Sequence, residues 1–253
     1  MWLILSAMPE ESAAIVAAVE NPTTTSSAGR DVTLGQIASQ PVVVAFSRWG
    51  KVAAASTAAH LLTLHRPSAV LFSGIAGSLV DELATGDLVV AESLYHHDLD
   101  ASPFFAPTEV PLLDRRALPT DLALRERLRR GLATLYGAHE LTRAAAVDAA
   151  AIRGPRVWLG DIATGDQVIG SAAARERIRR LVPSALCVEM EGAAVAQVCL
   201  EFGIPFGCVR MISDRADESL APAEVIRLAR RSGELTVQLL RNVFAGPALF
   251  AKA

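Results

Sequence analysis

Apolar residues in this 253-residue chain come mostly in short continuous runs rather than in strict alternation with polar ones. Runs at Trp2–Ser6, Val32–Ile37, Val42–Phe46, Ala69–Ser73, Asp87–Ala91, Val157–Asp161 and Phe206–Ile212 read as strands. Longer helical patterns lie between several of them, at Lys51–His65, Asp121–Tyr136, Ala172–Leu181 and Glu191–Phe202. A last helix, Ala223–Val243, sets Val225, Leu228, Leu235 and Leu239 on one face and its arginines elsewhere. Strands that are apolar throughout need cover on both faces. The expected fold is therefore α/β: a three-layer α/β/α sandwich with a central mixed sheet, one domain over 1–253. The short break between the runs at 32–37 and 42–46 predicts that part of the sheet is antiparallel, and the polar stretch Asn21–Asp31 reads as a surface turn.

Composition narrows the partners. A hydrophobic share of 51% is ample for one large core, and a formal net charge of -3 without a basic run argues against nucleic acid. Cys187, Cys199 and Cys208 have neither CxxC nor metal-like spacing, so they read as buried thiols of a reducing compartment. No apolar stretch reaches membrane-spanning length and the first basic residue is Arg30, so neither a membrane span nor a secretory signal is expected. A cytoplasmic location follows as an expectation.

In a covered α/β sheet, ligands bind at the carboxyl ends of strands, and the unusual polar residues collect there. Met8-Pro9-Glu10-Glu11 follows the first run. It fits a plain helix start, with proline at the first position and acids in the first turn, and it equally fits a carboxylate aimed at a water. Ser73-Gly74-Ile75-Ala76-Gly77-Ser78 reads as a glycine-rich loop, structural when taken alone. Glu189-Met190-Glu191 stands where a helix begins; the acids suit a helix N-terminus, and they also suit the vicinal hydroxyls of a sugar. Asp214, after the apolar strand that carries Arg210 and Ser213, is either a helix cap or an acid held beside a leaving group. The Pro-rich stretch from Pro103 to Pro119, with Phe104 and Phe105, reads as a lid or an interface segment. His96-His97-Asp98-Leu99-Asp100 raises a metal site, but no matching remote cluster accompanies it. Trp158 reads as core.

Taken together, AMPEES, SRWGKVAAA, SGIAGSL, TGDQVI, VEMEGAAVAQVC and VRMISDRAD occur in the order seen in the purine nucleoside phosphorylase/uridine phosphorylase superfamily. The chain most resembles its 5′-methylthioadenosine/S-adenosylhomocysteine nucleosidases, from about Ile4 to about Leu240. VEMEGAA followed by VRMISD carries most of that likeness. The resemblance implies hydrolysis of the N-glycosidic bond of a 5′-substituted adenosine, without metal or organic cofactor. It also implies a homodimer whose lid, including Phe104, reaches into the neighbouring subunit's pocket. By the same resemblance Glu11 activates water, Asp214 protonates purine N7, Ser213 orients Asp214, and Arg210 lies near the water and Glu11. Glu191 would bind the ribose hydroxyls, Met190 would pack under the sugar, and the backbone of Ile169 would read the adenine edge. Glu189, Met8 and Trp49 complete the expected substrate-binding set.

Two departures stand out. Val168 occupies a place where many members stack an aromatic ring on adenine, with Trp49 or Phe104 as candidates to offset the loss. Ile75 replaces a small hydroxyl residue that often holds the water. Phosphorylases of the superfamily hold phosphate with arginines, one just before the glycine segment, and a serine within it. Here those places hold Phe72 and Ile75, and Glu11 would repel phosphate. Hydrolysis is thus expected over phosphorolysis. Futalosine hydrolysis is an alternative of the same class, and a catalytically silent nucleoside-binding relative is one of another. Retention of Glu11, Glu191 and Asp214 together speaks against the silent relative.

Overall fold

In the computed structural model, which describes residues 1–136, 140–141, 155–217, 221–247 and 249–250, the apolar runs pair into one 11-stranded mixed sheet. Chain order is β1 (Trp2–Ser6), α1 (Pro9–Ala17), β2 (Glu20–Ser27), β3 (Arg30–Ile37), β4 (Gln40–Phe46), α2 (Lys51–His65), β5 (Ala69–Ser78) and β6 (Leu88–His96). It continues with β7 (Leu118–Pro119), α3 (Leu122–Tyr136), β8 (Glu140–Leu141), β9 (Val157–Thr164), α4 (Ala172–Leu181), β10 (Ala185–Glu189), α5 (Gly192–Phe202), β11 (Phe206–Asp214) and α6 (Pro222–Ala245).

Neighbouring strands run in the order β10-β9-β6-β11-β5-β1-β4-β3-β2. β1, β4, β5 and β11 are mutually parallel, while β6 is antiparallel to β11. Side chains alternate across the sheet. Leu3 and Leu5 of β1 join a core with Ala54, Ala58 and Leu61 of α2 and Val195 and Cys199 of α5. Trp2 and Ile4 point the other way, into a core with Ile15 of α1, Leu124 and Leu128 of α3, and Leu235 and Leu239 of α6. Each such fully buried Leu or Ile side chain contributes about 1.5–3 kcal/mol. The helical layers on the two faces bear out the expected α/β class. Trp158 is fully buried, as expected.

Three expectations are corrected. The stretch Asn21–Asp31 is not one surface turn: it forms most of β2, an antiparallel partner of β3. β2 is exposed along almost its whole length, so it lacks the apolar alternation that marks a strand, and β-branched pairing such as Thr24 Oγ1 to Thr33 Oγ1 at 2.9 Å helps hold it. The turn itself shrinks to Ala28-Gly29, both at positive φ (49° and 72°), as tight hairpins require. Ser73–Ser78 is not a loop either; it is the second half of β5. Glycines inside a strand mark bends and close approaches. Here the strand leaves β1 after Phe72 and reaches β10, pairing Gly77 with Val188 and Ser78 with Cys187. That second pairing closes β5, β11, β6, β9 and β10 on one another, so the sheet curls at one end. β6 likewise begins at Leu88 and runs on to His96 beyond the expected Ala91. From 97 to 117 the chain holds only bends, turns and an isolated bridge between Val110 and Arg115.

The entry to β6 is pinned by Asp87, which is buried and accepts hydrogen bonds from Arg156 Nη2 (2.6 Å), Trp158 Nε1 (3.2 Å) and the Ala84 N–H (3.0 Å). Its backbone carbonyl accepts from the Ile212 N–H at 2.8 Å, two residues before Asp214. This part-buried ion pair therefore supports the end of β11. Replacing Asp87 by Ala strands the Arg156 charge and should cost about 3–5 kcal/mol in urea unfolding. A change near zero would show that the pair is replaced by solvent.

Candidate active site

The carboxyl ends of β1, β4, β5, β9, β10 and β11 surround a cavity of about 180 Å³. Eleven of the thirteen expected site residues line it: Met8, Glu11, Trp49, Ile75, Val168, Ile169, Glu189, Met190, Glu191, Ser213 and Asp214. Arg210 lies behind the wall, buried, with its guanidinium 4.2 Å from the Phe72 ring centroid. Phe104 is 86% exposed and lines no part of its own chain's cavity. Gln167 and Val225 also line the cavity, and neither was expected there. Val225 comes from α6, where its spacing reads only as a core stripe.

Glu11 sits at the third position of α1, where a carboxylate can meet the free N–H groups of a helix start. Its Oε2 accepts from the N–H of Ala7 (2.9 Å) and Met8 (3.1 Å), and its Oε1 from the N–H of Ile75 (3.0 Å). Glu11 therefore both closes the start of α1 and borders the cavity. Burial pushes its pKa above the ordinary 4.5, and the Arg210 charge and the three backbone donors restrain that rise. Gly74 leaves the space that the Glu11 and Arg210 side chains both occupy. A Cβ there would stand 2.6 Å from Glu11 Oε1 and 3.0 Å from Arg210 Nη1.

The two carboxylates on either side of Met190 both border the cavity but have different partners. Glu189 Oε2 accepts from Arg210 Nη2 at 2.5 Å and from the Gly192 N–H at 2.7 Å, while its Oε1 accepts from the Thr164 hydroxyl. Thr164 in turn accepts from the Ala193 N–H at 2.9 Å. Glu189 thus joins Arg210 to the start of α5 while bordering the cavity. Glu191 is buried, and its Oε1 accepts from the Gly50 N–H at 2.7 Å. No other hydrogen bond to its carboxylate is found among the described residues. Burial first, then the Glu189 charge, push its pKa up to about 8.

At the end of β11 the register to β5 slips between Ile212 and Asp214, so that Asp214 stands opposite Gly77. Such a bulge re-aims a side chain. Asp214 Oδ1 accepts from the Ala216 N–H at 2.7 Å, and Ser213 Oγ lies 2.5 Å from Asp214 Oδ2 and 3.1 Å from the Ala76 carbonyl.

Residues 2–245 match the model of the phosphorylase superfamily. A 5′-methylthioadenosine/S-adenosylhomocysteine nucleosidase of Geobacillus kaustophilus is 35% identical over 94% of this chain and 95% of its own length. The chain belongs to that nucleosidase family. The Neisseria meningitidis nucleosidase, solved with methylthio-immucillin-A, superposes with a TM-score of 0.84 at 27% identity, covering 96% of this chain and 97% of that one. Futalosine hydrolase of Helicobacter pylori superposes with a TM-score of 0.80 at 31% identity, covering 96% and 97%.

Within the nucleosidase family, this member's departures can now be placed. Val168 lines the cavity and is 73% exposed, and Trp49, 55% exposed, is the one aromatic side chain lining it among the described residues. Ile75 meets Glu11 through its backbone N–H, an interaction that any side chain permits. His96 Nε2 lies 3.2 Å from Gln197 Oε1, and burial lowers the pKa of both His96 and His97. Among the described residues no group of three or more His, Cys, Asp or Glu is placed to hold a metal ion. No helix among them is long and apolar enough to cross a membrane.

The raised pKa of Glu191 makes stability depend on pH. Unfolded, the carboxyl loses its proton near its ordinary 4.5; folded, it keeps the proton until about 8. A folded state that binds more protons loses stability as pH rises. The contribution of Glu191 is complete below pH 4.5 and is lost as pH climbs through about 8. Urea unfolding across that window should show a flatter profile for Glu191→Gln than for the wild type. Superimposable profiles would place the proton on another group.

Proposed function

We propose that this chain hydrolyses the N-glycosidic bond of a 5′-substituted adenosine, methylthioadenosine or S-adenosylhomocysteine, releasing adenine and the 5-substituted ribose. The observation that carries this reading is the convergence of Glu11, Glu191 and Asp214 on one cavity that no arginine lines among the described residues, with the buried Arg210 paired to Glu189. The names of the family's similar members support the same substrates.

Cleavage of a nucleoside develops positive charge on the ribose and negative charge on the base, so the site needs carboxylates around the sugar and an acid at the base. Glu11, made more basic by burial, takes a proton from the attacking water. Arg210 limits how far that basicity rises. Glu191 has one oxygen fixed by Gly50 and turns the other to the ribose hydroxyls, with Met190 under the sugar. Asp214 delivers its proton to N7 of the purine. Ser213 lies within reach of two acceptors, so its hydroxyl donates to Ala76 while Asp214 is protonated and swings to Asp214 once the proton has left. The Ile169 backbone reads the adenine edge beside Trp49, and no cofactor enters any step.

Phosphate is disfavoured as the nucleophile because Phe72 and Ile75 stand where phosphorylases of the superfamily place anion-binding groups, and Glu11 faces the same space. Futalosine is a second candidate substrate, favoured by the likeness to the Helicobacter pylori hydrolase. We further propose a cytoplasmic homodimer in which Phe104, exposed on its own chain, enters the partner's cavity.

Base release from methylthioadenosine, S-adenosylhomocysteine, adenosine, inosine and futalosine, in phosphate-free buffer and then with phosphate, tests the reading. Adenine should appear without phosphate; strict dependence on phosphate would assign a phosphorylase. Asp214→Asn should lower kcat by about 10²–10⁴-fold in a folded protein. Near-normal turnover would remove Asp214 from the acid role.

A further inference from the structure

Helix α2 begins at Lys51 after Gly50, a residue without a side chain to cap the free N–H groups of the first turn. Two carboxylates from distant parts of the chain do so instead. The Gly50 N–H donates to Glu191 Oε1 at 2.7 Å, and the Lys51 N–H donates to Asp166 Oδ1 at 2.8 Å. Gly50 holds φ at +92°, a backbone conformation open to glycine, and this orients its N–H toward Glu191.

Lys51 extends the same junction through its side chain. Its ammonium lies 2.5 Å from Asp98 Oδ1 and 3.6 Å from Asp166 Oδ2, and Asp98 Oδ2 accepts from the Asp166 N–H at 2.8 Å. Asp98 follows β6 and Asp166 follows β9, so three segments meet at one charge. The Lys51 and Asp98 side chains are 20% and 24% exposed, shielded enough for a charge-assisted hydrogen bond to hold geometry. Asp166 opens the segment that carries Val168 and Ile169 into the cavity. One helical turn therefore supports both the carboxylate at the sugar and the segment at the base.

We propose that Lys51, acting through Asp98 and Asp166, is a positioning residue that keeps the base-reading segment 165–169 in register with Glu191. The inference rests on the nucleosidase reading for what binds, and on the contacts above for how it is held. Lys51 touches neither the water at Glu11 nor the proton on Asp214. The junction thus acts on binding common to substrate and transition state, which appears in KM rather than kcat.

Two readouts test it: steady-state hydrolysis of methylthioadenosine, and the affinity for free adenine by equilibrium dialysis. Lys51→Met keeps the apolar stem and removes the charge. It should raise both KM and the adenine Kd about tenfold, the effect of losing one charge-assisted hydrogen bond, with kcat changed less than about threefold. Lys51→Arg should recover most of the loss. Asp98→Asn, which leaves α2 untouched, should reproduce it, and Lys51→Met with Asp98→Asn should be no weaker than either alone. Asp98→Asn also carries the test should Lys51→Met fail to fold by thermal melting. Unchanged adenine affinity in both variants, losses that multiply in the double variant, or a loss confined to kcat would overturn the proposal. A wild type that binds adenine yet releases none from any nucleoside would sink the nucleosidase reading alone, because the adenine arm still reads the junction.

Discussion

A guanidinium buried at the centre of a sheet has to be answered by negative charge, and Arg210 imposes that demand on everything around it. Left alone it would cost several kcal/mol. Glu189 meets it at 2.5 Å, Phe72 offers a ring face 4.2 Å away, and the field of Glu11 reaches it across Gly74. Glu189 is in turn steadied by Thr164 and by the first N–H groups of α5. For these groups to meet, β5 must run on past β1 to β10 and the sheet must curl. The architecture of the site follows from housing one cation.

The same arrangement sorts the carboxylates by environment. Glu189 is surrounded by donors and has a positive neighbour, so it serves the scaffold. Glu191, two residues past the end of β10 and just before α5, has one backbone donor and a negative neighbour, and burial holds its proton. Glu11 lies between these cases, desolvated but facing Arg210. Chemically similar side chains thus acquire different tasks from what surrounds them. The cluster as a whole has more carboxylates than arginines, which favours a neutral nucleophile over an anion.

Much of the fold was legible because buried strands carry continuous apolar runs; β1 and the helix α2 fall where those runs and patterns place them. β2 escaped because its residues face solvent, where selection for a strand leaves no apolar mark. The segment Ser73–Ser78 was misread for another reason: glycine signals turns and close contacts alike, and only the neighbours Glu11 and Arg210 tell them apart. Most of the candidate site was legible through short motifs at strand ends. The pairing of Glu189 with Arg210 was not, since acids two residues apart in sequence look equivalent until their donors are known. Val225 was hidden in a core stripe, and the Lys51 junction joins segments whose spacing carries no signal.

Gly74 has one more consequence, for anyone wishing to move this chemistry to another scaffold. The space above its Cα is not empty; it is filled by oxygen and nitrogen atoms from two remote side chains. Copying Glu11 and Arg210 alone onto a foreign sheet would set both against an ordinary side chain in the space they fill here. A graft must import the missing side chain along with the ones that are present.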